Sequence, residues 1–276
     1  MKEIINKHKI LILGVNGFIG NAIYKELYAY FRVFGTYATP TKALDNNKQF
    51  FHYNHEEDDI VEILEITKPT IIISALRGNF ATQYIAHLHI AEYLSQYNCK
   101  ILFLSSANVF DAYKNYPSYE YDKTFSQSVY GHFKIKIENM LMRLPRRKWA
   151  ILRLPMVFGA GSPRIEEIKT LLHEKSPIEV FPNLIINVTT DYKLSQQVHY
   201  IINRDKTGIF HLGSTDLIHH DEFIKSIVDS IISYKPIYKQ VYTTNDDRYL
   251  AVLPKNNMLP NNLQIQSKNV IKMSIL

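Results

Sequence analysis

Through the first 155 residues, short apolar runs alternate with segments in which apolar side chains recur at helical spacing, and few folds accept that rhythm. The runs at 9–13, 32–37, 49–53, 70–74, 100–105 and 150–154 have the composition of strands buried on both faces. Between them, Ile19, Ala22, Ile23 and Leu27 form one helical stripe, and Ile60, Ile63, Leu64 and Thr67 a second. Ile85, Leu88, Ala91 and Leu94 form a third, and Ile137, Met140, Leu141 and Leu144 a fourth. Strands that alternate with helices are βαβ units, which require a parallel sheet covered by helices. The expected class is therefore α/β, a doubly wound parallel sheet.

After Pro155 the rhythm weakens, with candidate helices at 165–174, 192–203 and 221–233 among short strands and prolines. The last 40 residues, with Pro254, Pro260 and the pairs Asn256, Asn257 and Asn261, Asn262, read as loop and short strand. We expect the sheet domain over residues 1–160, with sheet elements returning near 185–212, and a smaller C-terminal α+β lobe over 161–276. A chain of 276 residues is at the limit of one hydrophobic core, which fits a domain with a lobe appended.

The formal charge is +6, but the charges are scattered. The densest run, Arg143, Arg146, Arg147 and Lys148, reads as a solvated helix C-terminus and not as a nucleic-acid patch. Its one cysteine, Cys99, excludes an internal disulfide. No apolar run reaches the roughly 18 residues that a membrane helix needs. Lys2, Lys7 and Lys9 precede an apolar stretch, but Gly14, Asn16 and Gly17 interrupt it and no small-residue cleavage site follows. The expectation is a cytoplasmic protein with neither nucleic-acid nor membrane partners.

Three motifs carry chemistry. Gly14, Val15, Asn16, Gly17, Phe18, Ile19 and Gly20 stand directly after the first strand and open the first helix. Gly14 would allow a tight turn, Gly17 close backbone approach to a pyrophosphate and Gly20 close helix–strand packing, while the helix N-terminus offers N–H groups to phosphates. The spacing, G-x-x-G-x-x-G, departs from the dinucleotide fingerprint G-x-G-x-x-G. Tyr130 and Lys134 lie one helical turn apart, where a cation beside a phenol lowers its pKa from near 10 toward working pH. In a chain with 19 tyrosines, such a pair alone is as readily a surface feature. Ser105 and Ser106 end an apolar strand at the edge where parallel sheets bind ligands, although a serine there also serves as a simple cap.

Taken together, Gly14, Gly17, Gly20, Ser106, Tyr130 and Lys134 resemble the extended short-chain dehydrogenase/reductase superfamily. Ser74, Ala75 and Leu76 resemble that family's Asn-Ala-Ala loop beside the cofactor, and Arg153 to Gly159 its segment lining the nicotinamide, with Pro155 and Val157 as contacts. The stretch Ser105, Ser106, Ala107, Asn108, Val109, Phe110, Asp111 is similar to Ser-Thr-Asp-Tyr-Val-Phe-Asp of the dTDP-4-dehydrorhamnose reductase branch. The resemblance is good over residues 9 to about 215 and poor in the last 60.

It implies a Rossmann-type fold and a nucleotide-sugar substrate reduced by hydride from the cofactor. Tyr130 would be the proton donor to a sugar keto oxygen, Ser106 would polarise that oxygen, and Lys134 would bind nicotinamide ribose and depress the phenol pKa. The phosphate turn, including Asn16, Phe18 and Ile19, would hold the cofactor. Asn108, Val109 and Phe110 would face substrate; Arg77, by its own position just past the fourth strand, is placed either to grip a substrate diphosphate or as an exposed loop residue. The branch's Asp-Tyr is replaced by Ala107 and Asn108, and its C-terminal substrate signature is represented only by displaced candidates, Arg248 and Pro254.

The second strand ends in Gly35, Thr36, Tyr37, Ala38, Thr39 with no carboxylate until Asp45, which favours NADP over NAD, with Thr39 and Lys42 at its phosphate. Histidines 87, 89, 132, 219 and 220 are not at metal-ligand spacing with other ligands, and no metal is expected. The leading expectation is an NADP-dependent reductase of a nucleotide-linked 4-keto-6-deoxy sugar, with room for a homodimer. A sugar-nucleotide epimerase with bound NAD shares the same residues. A non-catalytic NADP-binding regulatory protein is the alternative from another class, against which Tyr130 and Lys134 argue.

Overall fold

The apolar runs become strands because each is flanked by chain that can cover both of its faces. In the computed structural model, which describes residues 8–40, 44, 47–243 and 245–274, Lys9–Leu13 (β1), Arg32–Tyr37 (β2), Phe50–His52 (β3), Ile71–Ser74 (β4), Lys100–Ser106 (β5), Trp149–Leu154 (β6) and Gly208–His211 (β11) form one sheet. Its order is β11, β6, β5, β4, β1, β2, β3. β1 pairs in parallel with β2 on one side (Ile10 with Val33) and β4 on the other (Ile10 with Ile71). Every residue of β4 is buried, and in β1 every residue after Lys9. The winding reverses between β1 and β4, and ligands of such sheets bind outside the carboxyl ends of strands at that reversal.

The helices are Phe18–Leu27 (α1), Ile60–Thr67 (α2), Phe80–Gln96 (α3), Val129–Met142 (α4), Pro163–His173 (α5), Asp191–Asn203 (α6), His220–Ile231 (α7) and Ser267–Met273 (α8). Local signals account for several boundaries. Asp59 caps α2 by accepting from Val61 N–H, and the helix stops at Lys68 in a left-handed conformation (φ 45°). Asn79 caps α3, and Ser162 caps α5 ahead of Pro163.

Two expectations need correction. On α3 the buried face is Gln83, Ala86, His87, Ile90, Tyr93 and Leu94, while Ile85 and Leu88 of the expected stripe are 52% and 43% exposed. The helix is apolar on most sides, so apolar spacing alone did not select a face. The buried polar groups did: His87 Nδ1 bonds Gln83 O (2.6 Å) and its Nε2 meets Ser74 Oγ (2.9 Å). The last 40 residues are not only loop and strand, because Ser267–Met273 is helical. Its start is held by a distant carboxylate, Asp216, which accepts from Ser267 N–H (2.8 Å) and Oγ–H (2.7 Å).

The chain forms two compact units. The first comprises Met1–Ser105, Phe133–Leu152 and Val198–Gly208, and carries β1 to β4 with α1 to α3. The second comprises Ser106–His132, Arg153–Gln197 and Ile209–Leu276. Its core gathers Phe158, Ile165, Val188, Phe223, Ile227 and Val270. Its short strands pair locally: Met156–Phe158 (β7) with Val188–Thr190 (β10), Ile178–Val180 (β8) with Tyr238–Gln240 (β13), and Leu184–Ile186 (β9) between Ile218–His219 (β12) and Arg248–Leu250 (β14).

Candidate functional site

In the first unit, the turn after β1 is shaped by what its glycines leave out. Gly14 has φ +82°, and a Cβ there would stand 2.9 Å from Ala75 O. Its N–H donates to Thr36 Oγ1 (3.1 Å), and Val15 N–H to Thr36 O (2.8 Å), which ties the turn to β2. A Cβ on Gly20 would lie 2.1 Å from Gly14 O, so α1 can approach the turn only without one. Gly17 differs: its nearest contact would be Gly14 O at 3.4 Å, a tight but tolerable distance. The protein's own packing asks for glycine at 14 and 20, whereas at 17 it leaves an open approach. Gly17 is also the N-cap of α1, which has no side-chain cap and no acidic residue in its first turn. The N–H groups at Phe18 and Ile19 are therefore suited to an anion, beside the exposed Asn16.

Around this turn the other expected cofactor residues are distributed unevenly. Ala75 N–H bonds Leu13 O (3.0 Å), and Ala75 and Leu76 are half-buried beside the turn's floor. Ser74 faces inward. Burial holds the His87 imidazole neutral, its pKa pushed down to about 4, so Nδ1–H donates to Gln83 O and Nε2 accepts from Ser74. The Ser74 hydroxyl is thus occupied within the protein. Thr39 is exposed just past β2, and Lys42 lies outside the described residues. Arg77 is exposed, and its carbonyl accepts from His55 Nε2 (2.9 Å) next to Gly78 (φ +112°).

Strand β5 ends in two serines with different fates. Ser105 Oγ donates to the buried Glu138 carboxylate (2.5 Å). The Lys134 ammonium, also buried, donates to Leu104 O (2.9 Å) and sits 4.7 Å from the centre of the Phe103 ring. Burial pushes its pKa down to about 8, against the pull of Glu138, leaving it largely cationic at pH 7. The Ser105 hydroxyl is thus taken up inside the first unit.

In the second unit, Ser106 opens a 3-10 turn over Ala107–Phe110. Its hydroxyl donates to Asn108 Oδ1 (2.9 Å) and accepts from Asn108 N–H (3.2 Å). Val109 and Phe110, expected at the substrate, are buried (0% and 3% exposed), and Phe110 lies under the Arg153 guanidinium at 4.8 Å. Their side chains are packed inside the second unit. Tyr130 is on the first turn of α4, 38% exposed. Lys134 follows on the same helix, one turn along.

The tail of the second unit is fixed by a buried charge network that the sequence did not disclose. Arg153 Nη1 donates to Glu120 O (2.9 Å), and the Glu120 carboxylate accepts from the N–H groups of Lys255, Asn256 and Asn257 at 3.0 to 3.2 Å. Burial acts to raise the Glu120 pKa, but those backbone donors hold it below the ordinary carboxylate value. His211 donates through Nδ1 to Leu253 O, and burial together with Arg153 pushes its pKa down to about 3. Pro155 is buried and Val157 half-buried on β7.

Among the described residues, no group of three or more His, Cys, Asp and Glu is placed to hold a metal ion. His87 is buried while His89 bonds Asp59 at the surface, so the pair diverges. Among the described residues, no helix is long and apolar enough to cross a membrane.

The family model of the RmlD substrate binding domain matches residues 8–271. A dTDP-4-dehydrorhamnose reductase of Aggregatibacter actinomycetemcomitans is 25% identical over 275 residues, covering 91% of this chain and 90% of that protein. The dTDP-4-dehydrorhamnose reductase of Bacillus anthracis, solved in complex with NADP, superposes with a TM-score of 0.77 at 19% identity, covering 97% of this chain and 98% of that one. A Bordetella bronchiseptica enzyme solved with NAD+ gives a TM-score of 0.79 at 15% identity, covering 97% of each chain.

Proposed function

Because the chain belongs to the RmlD substrate binding domain family, we propose that it is an NADP-dependent reductase of a nucleotide-linked 4-keto-6-deoxy sugar. The observation that carries this reading is the selective commitment of the residues at the end of β5 and on α4. Ser105 is consumed by Glu138, Ser106 keeps an exchangeable partner in Asn108, and Tyr130 stands exposed one turn before a buried lysine. The name of the curated relative and the complexes of the structural neighbours agree with it.

The turn after β1 fits a dinucleotide: Gly17 leaves room where a Cβ would stand, and α1 begins without a competing carboxylate. Gly14, Asn16, Gly17, Phe18, Ile19 and Gly20 would hold the pyrophosphate with Ala75 and Leu76 beside them, and Pro155 and Val157 of the second unit are assigned to the cofactor on the resemblance of their segment alone. Ser74 would act through the backbone, its hydroxyl being taken by His87. The end of β2 offers Thr39 and no described carboxylate, which supports the 2′-phosphate of NADP. When bound, the nicotinamide supplies a hydride.

The protein's own residues do the rest. The Ser106 hydroxyl turns from Asn108 to the substrate's keto oxygen, and Tyr130 gives that oxygen a proton as negative charge develops on it. Lys134 keeps a positive charge because Glu138 opposes the effect of burial, and its Nζ–H bond to Leu104 O and the Phe103 ring hold it in place. Arg77 and Asn108 are assigned to substrate. We assign the cofactor to residues 1–160 and the sugar nucleotide to 161–276 together with the loop around Asn108. The test is oxidation of NADPH by purified protein with dTDP-4-dehydrorhamnose. Stoichiometric oxidation with one reduced sugar product is expected. Epimerised sugar without net NADPH consumption, or no reaction at all, would overturn the proposal.

A further inference from the structure

The reaction proposed above needs Ser106 and Tyr130 to face one oxygen, yet they lie on separate elements, a 3-10 turn and a helix, joined by a loop of about twenty residues. Asp111 closes that loop. Its Oδ1 accepts from Gln127 N–H (2.6 Å), and its Oδ2 accepts from the hydroxyls of Ser126 (2.9 Å) and Ser128 (2.5 Å). With its proton committed to Asp111, the Ser128 oxygen accepts from Gly131 N–H (3.0 Å), the residue next to Tyr130. Ser126 Oγ in turn accepts from Ser128 N–H (3.1 Å). At its other end Asp111 belongs to the turn that Ser106 opens, and its own N–H donates to Asn108 O (3.3 Å).

The same carbonyl and the same serine meet at Gly131. A Cβ there would lie 2.0 Å from Ser126 Oγ and 2.3 Å from Asn108 O. The start of α4 therefore rests directly on the backbone of the turn, and a closed path runs from Asp111 through Asn108, Gly131 and Ser128 back to Asp111. Each hydrogen bond in it has a fixed direction, because a carboxylate at its head can only accept.

We infer that Asp111 is a positioning residue: through Ser126 and Ser128 it sets the separation and angle between the Ser106 hydroxyl and the Tyr130 phenol. Its carboxylate is committed to Ser126, Gln127 and Ser128 and acts through them. The inference rests on the reductase reading only for its kinetic consequence, since displacing a reacting group by about 1 Å costs on the order of 100-fold in rate.

The test compares Asp111→Asn, Ser128→Ala and Ser128→Thr in the full chain. Asparagine keeps the shape but turns one acceptor into a donor facing two hydroxyls. Both Asp111→Asn and Ser128→Ala are expected to lower kcat about 100-fold, with KM and the NADPH Kd within about threefold of wild type. Ser128→Thr, which retains the hydroxyl, should restore most of kcat. Should Asp111→Asn not fold, the alanine and threonine variants carry the test alone. A kcat for Ser128→Ala within about twofold of wild type would overturn the inference. If the wild-type protein reduces no keto sugar, the reductase reading falls, and crystal structures then decide the inference. A Ser106 Oγ to Tyr130 Oη separation altered by about 1 Å in Ser128→Ala upholds it, and an unaltered one overturns it.

Discussion

The turn after β1 and the segment from Ser106 to Gly131 both hold backbone in a fixed place, the first by missing side chains alone and the second chiefly by committed hydrogen bonds, with Gly131 at its end. The first works by omission: Gly14 and Gly20 remove side chains so that backbone can touch backbone, with 2.1 Å between a Cβ on Gly20 and Gly14 O. The second works by commitment, with Asp111 accepting three donors and Ser128 relaying to Gly131. Omission fails on enlargement, as the second segment also does at Gly131, whereas its hydrogen-bonded part fails on a change of charge or donor pattern. The difference suits the proposed tasks, since a diphosphate needs space and a proton donor needs aim.

The comparison is broken most forcefully at Gly20. Gly20→Ala should destabilise the protein by at least about 3 kcal/mol and abolish NADPH binding, because the clash is with backbone that cannot move aside. Gly161→Ala is its counterpart in the second unit, where no described atom lies within 4 Å of the added Cβ, and should change stability by less than about 0.5 kcal/mol. Thermal melts and NADPH fluorescence titration would check both.

The next effect belongs to Lys134. Its folded pKa of about 8 lies below the ordinary 10.5, so the unfolded chain binds more protons between those values and stability rises with pH across that window. The cost of burying the charge is fully present below pH 8. Relative to Lys134→Met, the wild type should gain roughly 3 kcal/mol between pH 8 and 10.5, read from denaturant melts at a series of pH values. A pH-independent difference would contradict the assignment of a buried cation.

Glu120 shows the opposite sign. Its pKa is held below the ordinary value, so its contribution is complete above about pH 4.3 and is lost as pH falls through the folded value. Glu120→Gln should cost about 2 kcal/mol at pH 7, because three backbone donors lose a charged acceptor. The gap from wild type should close in acid, and a gap that widened below pH 4 would contradict the network drawn here.

Omission could be read from the amino-acid sequence, and commitment largely could not. Glycines three apart after an apolar strand announce themselves locally, and β1 and β2 run over the residues expected for them. The helices at 163–173, 191–203 and 220–231 begin and end within two residues of the patterns that announced them. The partners of Glu120, by contrast, are backbone N–H groups more than 130 positions away, and a backbone donor has no residue identity to read. Helix α8 was missed for the same reason, its cap being Asp216 and not the adjacent Gln266. The burial of Phe110 was equally illegible, because Arg153 and His211 pack on its ring and no local pattern associates them with it. Asp111 and Ser128 did carry a signal in principle: a serine two residues before Tyr130 is a plausible helix cap, and a carboxylate ends the turn begun by Ser106.

We propose Tyr130 as the group that gives the keto oxygen its proton. The most direct test is single-turnover reduction of dTDP-4-dehydrorhamnose by NADPH in wild type and Tyr130→Phe, with NADPH affinity measured in both. The phenylalanine variant should bind NADPH as wild type does and reduce the sugar at least about 100-fold more slowly. Reduction at an unchanged rate would contradict the account.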